Sequence, residues 1–302
     1  MTHQIFIVLG MAGSGKTTFC HRLYSWLSEK SLRLDNSTGL NNAVFGVNLD
    51  PAVLTSKMPL HYDIRDVIAI EELMTKKKLG PNGAILAVLN LFITQIDKFM
   101  TEIDKVKPDF TIIDTPGQIE MFTTSVSGQI LTKCLSATPD TKVHLLYVVD
   151  GEKAQYPQCF ISNMLFAASI QCHLKESLLL VVNKADLPGA EALQAWTQDM
   201  DLFTQDLSQE EYITPTIRSM ALWLEEFYQT LPFCPVSATT GMGKAKFFSL
   251  LQTPSSSTPS TPSTTSPKQI QDDLAAIRIS KTTSTLSNTL ENNPTQSNTN
   301  ST

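Results

Sequence analysis

The sequence predicts an α/β fold in which a mostly parallel sheet is covered by helices on both faces. Short, nearly continuous apolar runs alternate with helical patterns; the runs are IFIVLG, VFGVNLD, FTIIDT, HLLYVVD, SLLLVVNKAD and FCPVSA. Strands that are apolar on both faces are typical of a buried parallel sheet. Polar motifs follow the ends of these runs, which is where ligands bind in such folds.

Composition narrows the classes of partner. The chain has 302 residues, of which 42% are hydrophobic, and a net charge of −6. It therefore lacks the basic surface that non-specific binding to nucleic acid or anionic membrane requires. The start, MTHQIFIVLG, lacks the features of a signal peptide, and five scattered cysteines indicate reduced thiols. We expect a cytoplasmic protein, with shuttling to the nucleus left open, and no direct nucleic-acid or membrane partner.

Two regions depart from the alternating pattern. The chain becomes rich in Ser, Thr and Pro near residue 252, which predicts a folded domain over 1–251 and a disordered tail over 252–302. Within the tail, 268–280 either folds on a partner or has only residual helicity. A helical insertion is predicted over about 188–231. Its aromatic side chains fit a core or a partner surface, with the core more usual; they are Trp196, Phe203, Trp223 and Phe227.

The first apolar run leads directly into GMAGSGKTT, residues 10–18, which matches G-x-x-x-x-G-K-[ST] between a strand and a helix. Glycines allow successive backbone N–H groups to surround phosphate oxygens at a helix N-terminus. Lys16 is predicted to bridge the β- and γ-phosphates, and the Thr17 hydroxyl to ligate Mg²⁺. The pattern therefore predicts a P-loop NTPase. Its predicted nucleotide ligands are Gly13, Ser14, Gly15, Lys16, Thr17 and Thr18.

A second motif, DTPGQIE, begins with Asp114 at the end of FTIID. An acid at this strand tip is typical of the carboxylate that holds Mg²⁺ in P-loop enzymes, and Gly117 allows a backbone N–H to approach the γ-phosphate. Gln118 and Glu120 are then candidates to orient or polarise the attacking water. Both also fit a solvated helix start, where acidic residues are favoured, and the sequence leaves the two alternatives open.

The motif NKAD follows the run SLLLVV and is predicted to select the base. The Asp186 carboxylate can accept hydrogen bonds from guanine N1–H and the 2-amino group, and adenine offers neither donor. Asn183 is predicted to contact the O6 and N7 edge, and the stem of Lys184 to cover the base. Ser237 and Ala238 follow the run FCPV and are predicted to supply a backbone contact to O6. We therefore predict that the chain binds GTP with Mg²⁺.

Two further charged residues have alternative interpretations. Asp50 lies at the end of VFGVNLD, before Pro51. It is predicted either to hydrogen-bond the Mg²⁺ shell or the nucleophilic water, or to serve as a turn or helix-cap acid. Arg65 lies between Asp63 and Asp66, which favours a surface ion pair over a phosphate contact.

Residues 80–83, Gly-Pro-Asn-Gly, precede an apolar helical run and on their own indicate an ordinary turn. Together with LGMAGSGKTT, NLDPAV, YDIRD, DTPGQIE, NKADL and SATTGMG, however, they make residues 4–250 resemble the GPN-loop GTPases. The segment Gly10-Met11-Ala12 and the long polar tail are most similar to the first eukaryotic paralogue of that family. That paralogue is associated with assembly and nuclear import of RNA polymerase II.

The resemblance implies a dimer in which the Gly-Pro-Asn loop of each subunit reaches the nucleotide phosphates of the other. Asn82 would then contact the γ-phosphate or released phosphate of the partner and act in hydrolysis with Asp50, Gln118 and Glu120. A rigid turn presents backbone N–H groups and a neutral amide to an anion at small entropic cost. The implied partners are a second copy or a paralogous GPN-loop GTPase, and RNA polymerase II subunits.

Three function classes are compatible with these motifs. The leading one is a GTPase switch that hydrolyses GTP and releases its ordered loops. The alternative is a P-loop enzyme that transfers a phosphoryl group to a small-molecule acceptor, although no acceptor-binding motif is evident. A third is a non-hydrolysing module that uses GTP only for dimer stability. The presence of the candidate catalytic residues Asp50, Gln118 and Glu120 argues against this third class.

Overall fold

A single sheet organises the computed structural model, which describes residues 2–34, 43–53, 55–207 and 214–252. Its strands are β1 (His3–Gly10), β2 (Val44–Asn48), β3 (Tyr62–Asp63), β4 (Phe110–Asp114), β5 (Thr141–Asp150), β6 (Ser177–Asn183) and β7 (Phe233–Pro235). The strand order is β3-β2-β4-β1-β5-β6-β7, and every pairing is parallel. The predicted parallel sheet is therefore confirmed.

The strand register aligns the polar strand ends that the sequence singles out. Asn48 lies opposite Asp114 across the pairing of β2 with β4. Asp150 lies opposite Asn183 across the pairing of β5 with β6. Between these pairs, β1 ends at Gly10, so the phosphate motif, the acidic strand tip and the base motif share one edge of the sheet.

Helices cover both faces of the sheet, as predicted. They are α1 (Lys16–Leu34), α2 (Ile64–Val67), α3 (Ile70–Lys77), α4 (Pro81–Ile93), α5 (Ile96–Val106), α6 (Glu120–Thr123), α7 (Val126–Ser136), α8 (Pro157–Leu174), α9 (Ala190–Gln198), α10 (Met200–Asp206), α11 (Thr214–Thr230) and α12 (Lys244–Gln252). On one face, Phe19 of α1 and Phe247 of α12 pack in one cluster with Leu146 of β5. Tyr147, the next residue along β5, points to the opposite face, where its hydroxyl donates to Asn163 of α8.

The Gly-Pro-Asn segment differs in detail from the predicted turn. Gly80 is the N-cap of α4, Pro81 is its first residue, and the Ala84 N–H donates to the Gly80 carbonyl at 2.9 Å. The segment is thus the first turn of the helix. The reason is that proline has a φ compatible with the first helical position, where its missing N–H needs no partner.

No single described helix is long and apolar enough to cross a membrane. Only α4 and α5 together meet the length and composition test, as a pair bent by 64°.

The region between β6 and β7 contains α9, α10 and α11, consistent with the predicted helical insertion. Trp196 and Phe203 are buried there and pack on Phe160 of α8, with ring centroids 5.4 and 5.3 Å away. These two aromatic residues therefore belong to the core. The predicted disordered tail began at residue 252, but Gln252 is the last residue of α12. The side chain of Trp223 and residues 253–302 lie outside the described part of the chain.

Candidate nucleotide site

The phosphate loop connects β1 to α1 and takes its shape from glycine. Gly13 and Gly15 have φ of 83° and 85°, which is backbone that residues with a Cβ rarely adopt. At Gly15 a Cβ would also overlap the side-chain amide of Asn183. Conformation therefore requires glycine at both positions, and space requires it at Gly15 as well. Thr17 and Thr18 follow on the first turn of α1.

Lys16 and Ser14 line the inside of this loop. Lys16 is only 6% exposed, and its Nζ donates to the Met11 carbonyl at 3.0 Å. Burial lowers the pKa of Lys16, although nearby Asp114 and Asp50 oppose that change. The Ser14 Oγ is buried and has no hydrogen-bond partner in the described chain. The loop therefore holds a buried cation and a free hydroxyl where an anion would lie.

Asp114 and Thr17, the two residues predicted to hold Mg²⁺, are in contact with each other. The Thr17 hydroxyl donates to Asp114 Oδ2 at 2.8 Å, and Oδ1 is buried without a partner among the described residues. Burial raises the pKa of Asp114 to about 6, despite the hydrogen bond from Thr17 and the charge of Lys16. An unsatisfied buried carboxylate oxygen is costly unless a cation or donor reaches it. Because Mg²⁺ prefers such oxygen ligands, these residues fit the metal.

Asp50 lies beside the phosphate motifs and also makes a local turn. Its Oδ1 accepts the Ala52 N–H at 2.9 Å, and its Oδ2 accepts the Gly117 N–H at 3.2 Å. Both of its predicted interpretations are thus compatible with the structure. The Gly117 N–H, which was predicted to face the γ-phosphate, is bonded to this carboxylate instead.

Gln118 and Glu120 lie just beyond Gly117 and are half-buried. Glu120 is the first residue of α6. Glu120 thus lies at a helix start, as one alternative predicts. Neither side chain makes a hydrogen bond within the described residues, and a contact to the attacking water stays a prediction for both.

The base motif is tied to the phosphate loop through Asn183. Its Nδ2 donates to the Ser14 carbonyl at 3.0 Å, and its Oδ1 accepts the Ala238 N–H at 3.1 Å. Asn183 therefore connects three loops in addition to the base contact that was predicted for it. Ser237 is fully buried, whereas Asp186 is exposed and open to a ligand.

Two residues of the site were missed by sequence reasoning. Asp150 pairs with the Lys184 ammonium at 2.6 Å; because it ends the run HLLYVVD, the rule that identified Asp114 would have found it. Arg22 of α1 donates from Nε to the Ala238 carbonyl at 2.7 Å and from Nη2 to the Thr239 carbonyl at 2.6 Å. No local pattern indicates a contact that spans more than 200 residues.

The predicted site residues thus gather at one edge, with one exception. We call Asn183–Asp186 and Ser237–Thr239 the base side, and residues 10–18, Asp50 and 114–120 the phosphate side. Asn82 is exposed, and within the described chain no hydrogen bond joins it to the phosphate side. Within the described part of one chain, therefore, no hydrogen bond connects the Gly-Pro-Asn loop to the phosphate loop.

Comparison with known proteins agrees with this geometry. The family model described as "Conserved hypothetical ATP binding protein" matches residues 8–255. "GPN-loop GTPase 1" of Dictyostelium discoideum is 41% identical over 247 residues, which are 80% of this chain and 59% of that protein. "GPN-loop GTPase 1" of Saccharomyces cerevisiae is 40% identical over 261 residues, which are 82% and 64% of the two chains. This chain thus spans about three fifths of their length.

More distant relatives carry other paralogue names. Proteins named GPN-loop GTPase 2 and GPN-loop GTPase 3 are 30% and 28% identical, so the resemblance to the first paralogue is confirmed. Among solved structures, a GTPase from Pyrococcus abyssi in its apo form is similar, with a TM-score of 0.66 and 27% identity. The match covers 83% of this chain and 96% of that one. It supports the P-loop GTPase fold.

Proposed function

The chain belongs to the family described as conserved hypothetical ATP binding proteins, and on that premise we propose that it binds GTP with Mg²⁺ and hydrolyses the GTP to GDP and phosphate. One observation carries the proposal. The Asn183 amide connects the phosphate loop, through the Ser14 carbonyl, to the Ala238 N–H. A phosphate site and a base site are thereby held in one rigid unit, as a nucleoside triphosphate requires.

The preference for guanine rests on Asp186. This exposed carboxylate follows Asn183 and Lys184, whose own polar groups are paired with the rest of the protein. Guanine offers N1–H and the 2-amino group to a carboxylate there, whereas adenine would leave it unpaired. A site built to accept such donors rejects a ligand that lacks them by a large factor. We therefore propose GTP over ATP despite the wording of the family description.

For hydrolysis, the phosphate side would stabilise the charge that develops on the phosphates. Lys16 would exchange the Met11 carbonyl for β- and γ-phosphate oxygens. Thr17 and Asp114 would hold Mg²⁺, which when bound neutralises phosphate charge. Water attacks the γ-phosphorus as the bond to the β–γ bridging oxygen breaks, and the proton of the water ends on the released phosphate. Asp50, Gln118 and Glu120 are the residues that would orient this water.

We further propose that the active form is a dimer in which Asn82 of each chain reaches the phosphate side of the other. The support is that Asn82 is exposed at the start of α4 and that its side chain makes no hydrogen bond within the described chain. A helix N-terminus with a neutral amide is suited to an anion. The partner is a second copy or a paralogue, such as those named GPN-loop GTPase 2 or 3.

By resemblance to the first paralogue, the switch would serve assembly and nuclear import of RNA polymerase II. The protein would then be cytoplasmic with shuttling to the nucleus, and it would bind polymerase subunits rather than nucleic acid or membrane. The net charge of −6 supports the last point. Capture of polymerase subunits by the GTP-loaded chain, and their release after hydrolysis, would test this role.

Steady-state turnover of GTP and ATP tests the proposed activity. The protein is assayed over a wide range of protein concentration, and nucleoside diphosphate and inorganic phosphate are both measured. The proposal predicts GTP turnover that yields equal amounts of GDP and phosphate and that rises per chain with concentration. A preference for ATP would contradict the role of Asp186. Release of GDP without phosphate, once a small-molecule acceptor is added, would indicate a phosphotransferase instead.

A further inference from the structure

Asn48, at the end of β2, is a buried polar residue that begins the segment NLDPAV and to which no role has been assigned so far. It is 1% exposed. Its Oδ1 accepts the Asp50 N–H at 3.1 Å, and its Nδ2 donates to the Asp50 carbonyl at 3.2 Å. The same Nδ2 donates to Asp63 Oδ1 at 2.9 Å. One side-chain amide therefore holds both backbone polar groups of Asp50 and connects them to β3.

Asp63 is held in turn by Arg65. The guanidinium donates from Nε and Nη2 to the Asp63 carboxylate, with the Nη2 bond at 2.5 Å. Burial alone would raise the pKa of Asp63, but hydrogen bonds from Arg65 and Asn48 outweigh burial and lower that pKa. Asp63 is therefore an ionised and fixed acceptor. A bidentate pair of this kind is strong and geometrically specific.

Arg65 also contacts the turn that contains Asp50. Arg65 Nη1 donates to the Val53 carbonyl at 2.8 Å. The turn over residues 50–53 is thus fixed at one end by Asn48 and at the other by Arg65. Of the Asp50 side chain, Oδ1 is bound by the Ala52 N–H of the same turn, which leaves Oδ2 on the Gly117 N–H.

The contact between Asp50 and Gly117 connects the Asn48 and Arg65 hydrogen bonds to the hydrolysis reaction. Gly117 lies three residues after Asp114 in sequence, and its N–H is the backbone donor that is predicted to approach a γ-phosphate. When that N–H turns to the phosphate, Asp50 Oδ2 loses its partner while the rest of the residue stays anchored. A carboxylate that is fixed in place with one free oxygen beside the phosphate is suited to accept a hydrogen bond from the attacking water.

We propose that Asn48 is a positioning residue for Asp50, and that the pair formed by Asp63 and Arg65 anchors Asn48 so that the Asp50 carboxylate is held for the attacking water. This inference rests on the proposed GTP hydrolysis. It assigns to YDIRD a role in hydrolysis through Asp50, without a contact between Arg65 and the nucleotide.

A double-mutant cycle on hydrolysis tests the inference. Asn48→Ala, Asp50→Ala and the double variant are compared in kcat and KM for GTP at saturating protein concentration, together with the affinity for GDP. Asn48→Ala is expected to lower kcat about 10- to 100-fold, because a small misplacement of a catalytic group has effects of this size. KM and GDP affinity should stay within about 3-fold, since the change affects only the reaction step. In the double variant kcat should be no lower than in Asp50→Ala.

Two further variants separate positioning from stability. Ile103→Ala removes a buried side chain of α5, which leads into the opposite end of β4, so it should lower the melting temperature without lowering kcat. Arg65→Lys keeps the charge but loses the bidentate geometry, so its kcat should lie between those of Asn48→Ala and the unmodified protein. If Asn48→Ala lowers the stability of the protein, Arg65→Lys, which is the milder change, provides the test of positioning.

The outcomes are distinguishable. Unchanged kcat in Asp50→Ala would overturn the role of Asp50 in the proposed function, and the positioning role with it. A reduced kcat in Asp50→Ala beside unchanged kcat in Asn48→Ala would overturn only the positioning role. Multiplicative losses in the double variant would also overturn it, because Asn48 would then act independently of Asp50.

Discussion

On the base side, the Asn183 amide, the Lys184 ammonium and the loop at residues 237–239 are each paired with groups of the same chain. On the phosphate side, the Ser14 hydroxyl and one oxygen of Asp114 are buried without partners in the described chain. Buried polar groups are normally hydrogen-bonded. The base side is therefore formed without a ligand, whereas the phosphate side has buried polar groups that, under the proposed function, phosphate and Mg²⁺ would satisfy.

Asp114→Asn is expected to have the largest effect on GTP hydrolysis, and it tests the phosphate side. Replacing the charge removes the Mg²⁺ carboxylate, so hydrolysis should fall by at least about 100-fold. The same change removes a buried carboxylate whose pKa is raised by burial. The nucleotide-free variant should therefore have a higher melting temperature at pH 7.5 than the unmodified protein. A lower melting temperature would mean that Asp114 is stabilised by contacts other than those described above.

Asp186→Asn tests the base side, where the exposed Asp186 carboxylate is the group proposed to contact the ligand. An amide can present a donor to other purine edges, so the ratio of GTP affinity to ATP affinity should fall by about 100-fold. Competition of GTP and ATP against a fluorescent nucleotide measures this ratio. Glu191→Gln, which neutralises another exposed acid a few residues away, is the matched control and should leave the ratio unchanged. A ratio that survives in Asp186→Asn would refute the base assignment.

Arg22→Ala tests whether the base side depends on its internal contacts. The change removes two hydrogen bonds to consecutive carbonyls, those of Ala238 and Thr239. GDP affinity should fall about 10-fold, since each hydrogen bond from a charged group contributes about 1.5 kcal/mol or more and the loop can partly relax. Titration calorimetry measures the affinity. Equal GDP affinity would show that the loop is held without Arg22.

Local sequence pattern was sufficient for the parts of the site that lie within one loop. Lys16, Asp114 and Asn183 were found because a strand, a turn and a helix start are contiguous in the chain. Arg22 was not found, and Asn48 was part of NLDPAV but received no role, because the partners of both residues depend on the strand register and on contacts across the fold. Arg65 makes the predicted ion pair, with Asp63, but the pair is not at the surface because the Asp63 side chain is only 9% exposed. The contact of Arg65 to the Val53 carbonyl could not be predicted from sequence. The role of Asn82 stays a prediction.

Complementation between two inactive chains tests most directly the claim that the phosphate side is completed from outside the chain. Asn82→Ala keeps an intact site but lacks the loop residue, and Asp114→Asn keeps Asn82 but cannot turn over. Each alone should have turnover reduced at least about 10-fold. The mixture should regain a substantial fraction of normal GTP turnover. Asn82→Ala mixed with a chain that carries both changes is the control, and it should stay inactive. Turnover equal to the sum of the separate chains would contradict the account.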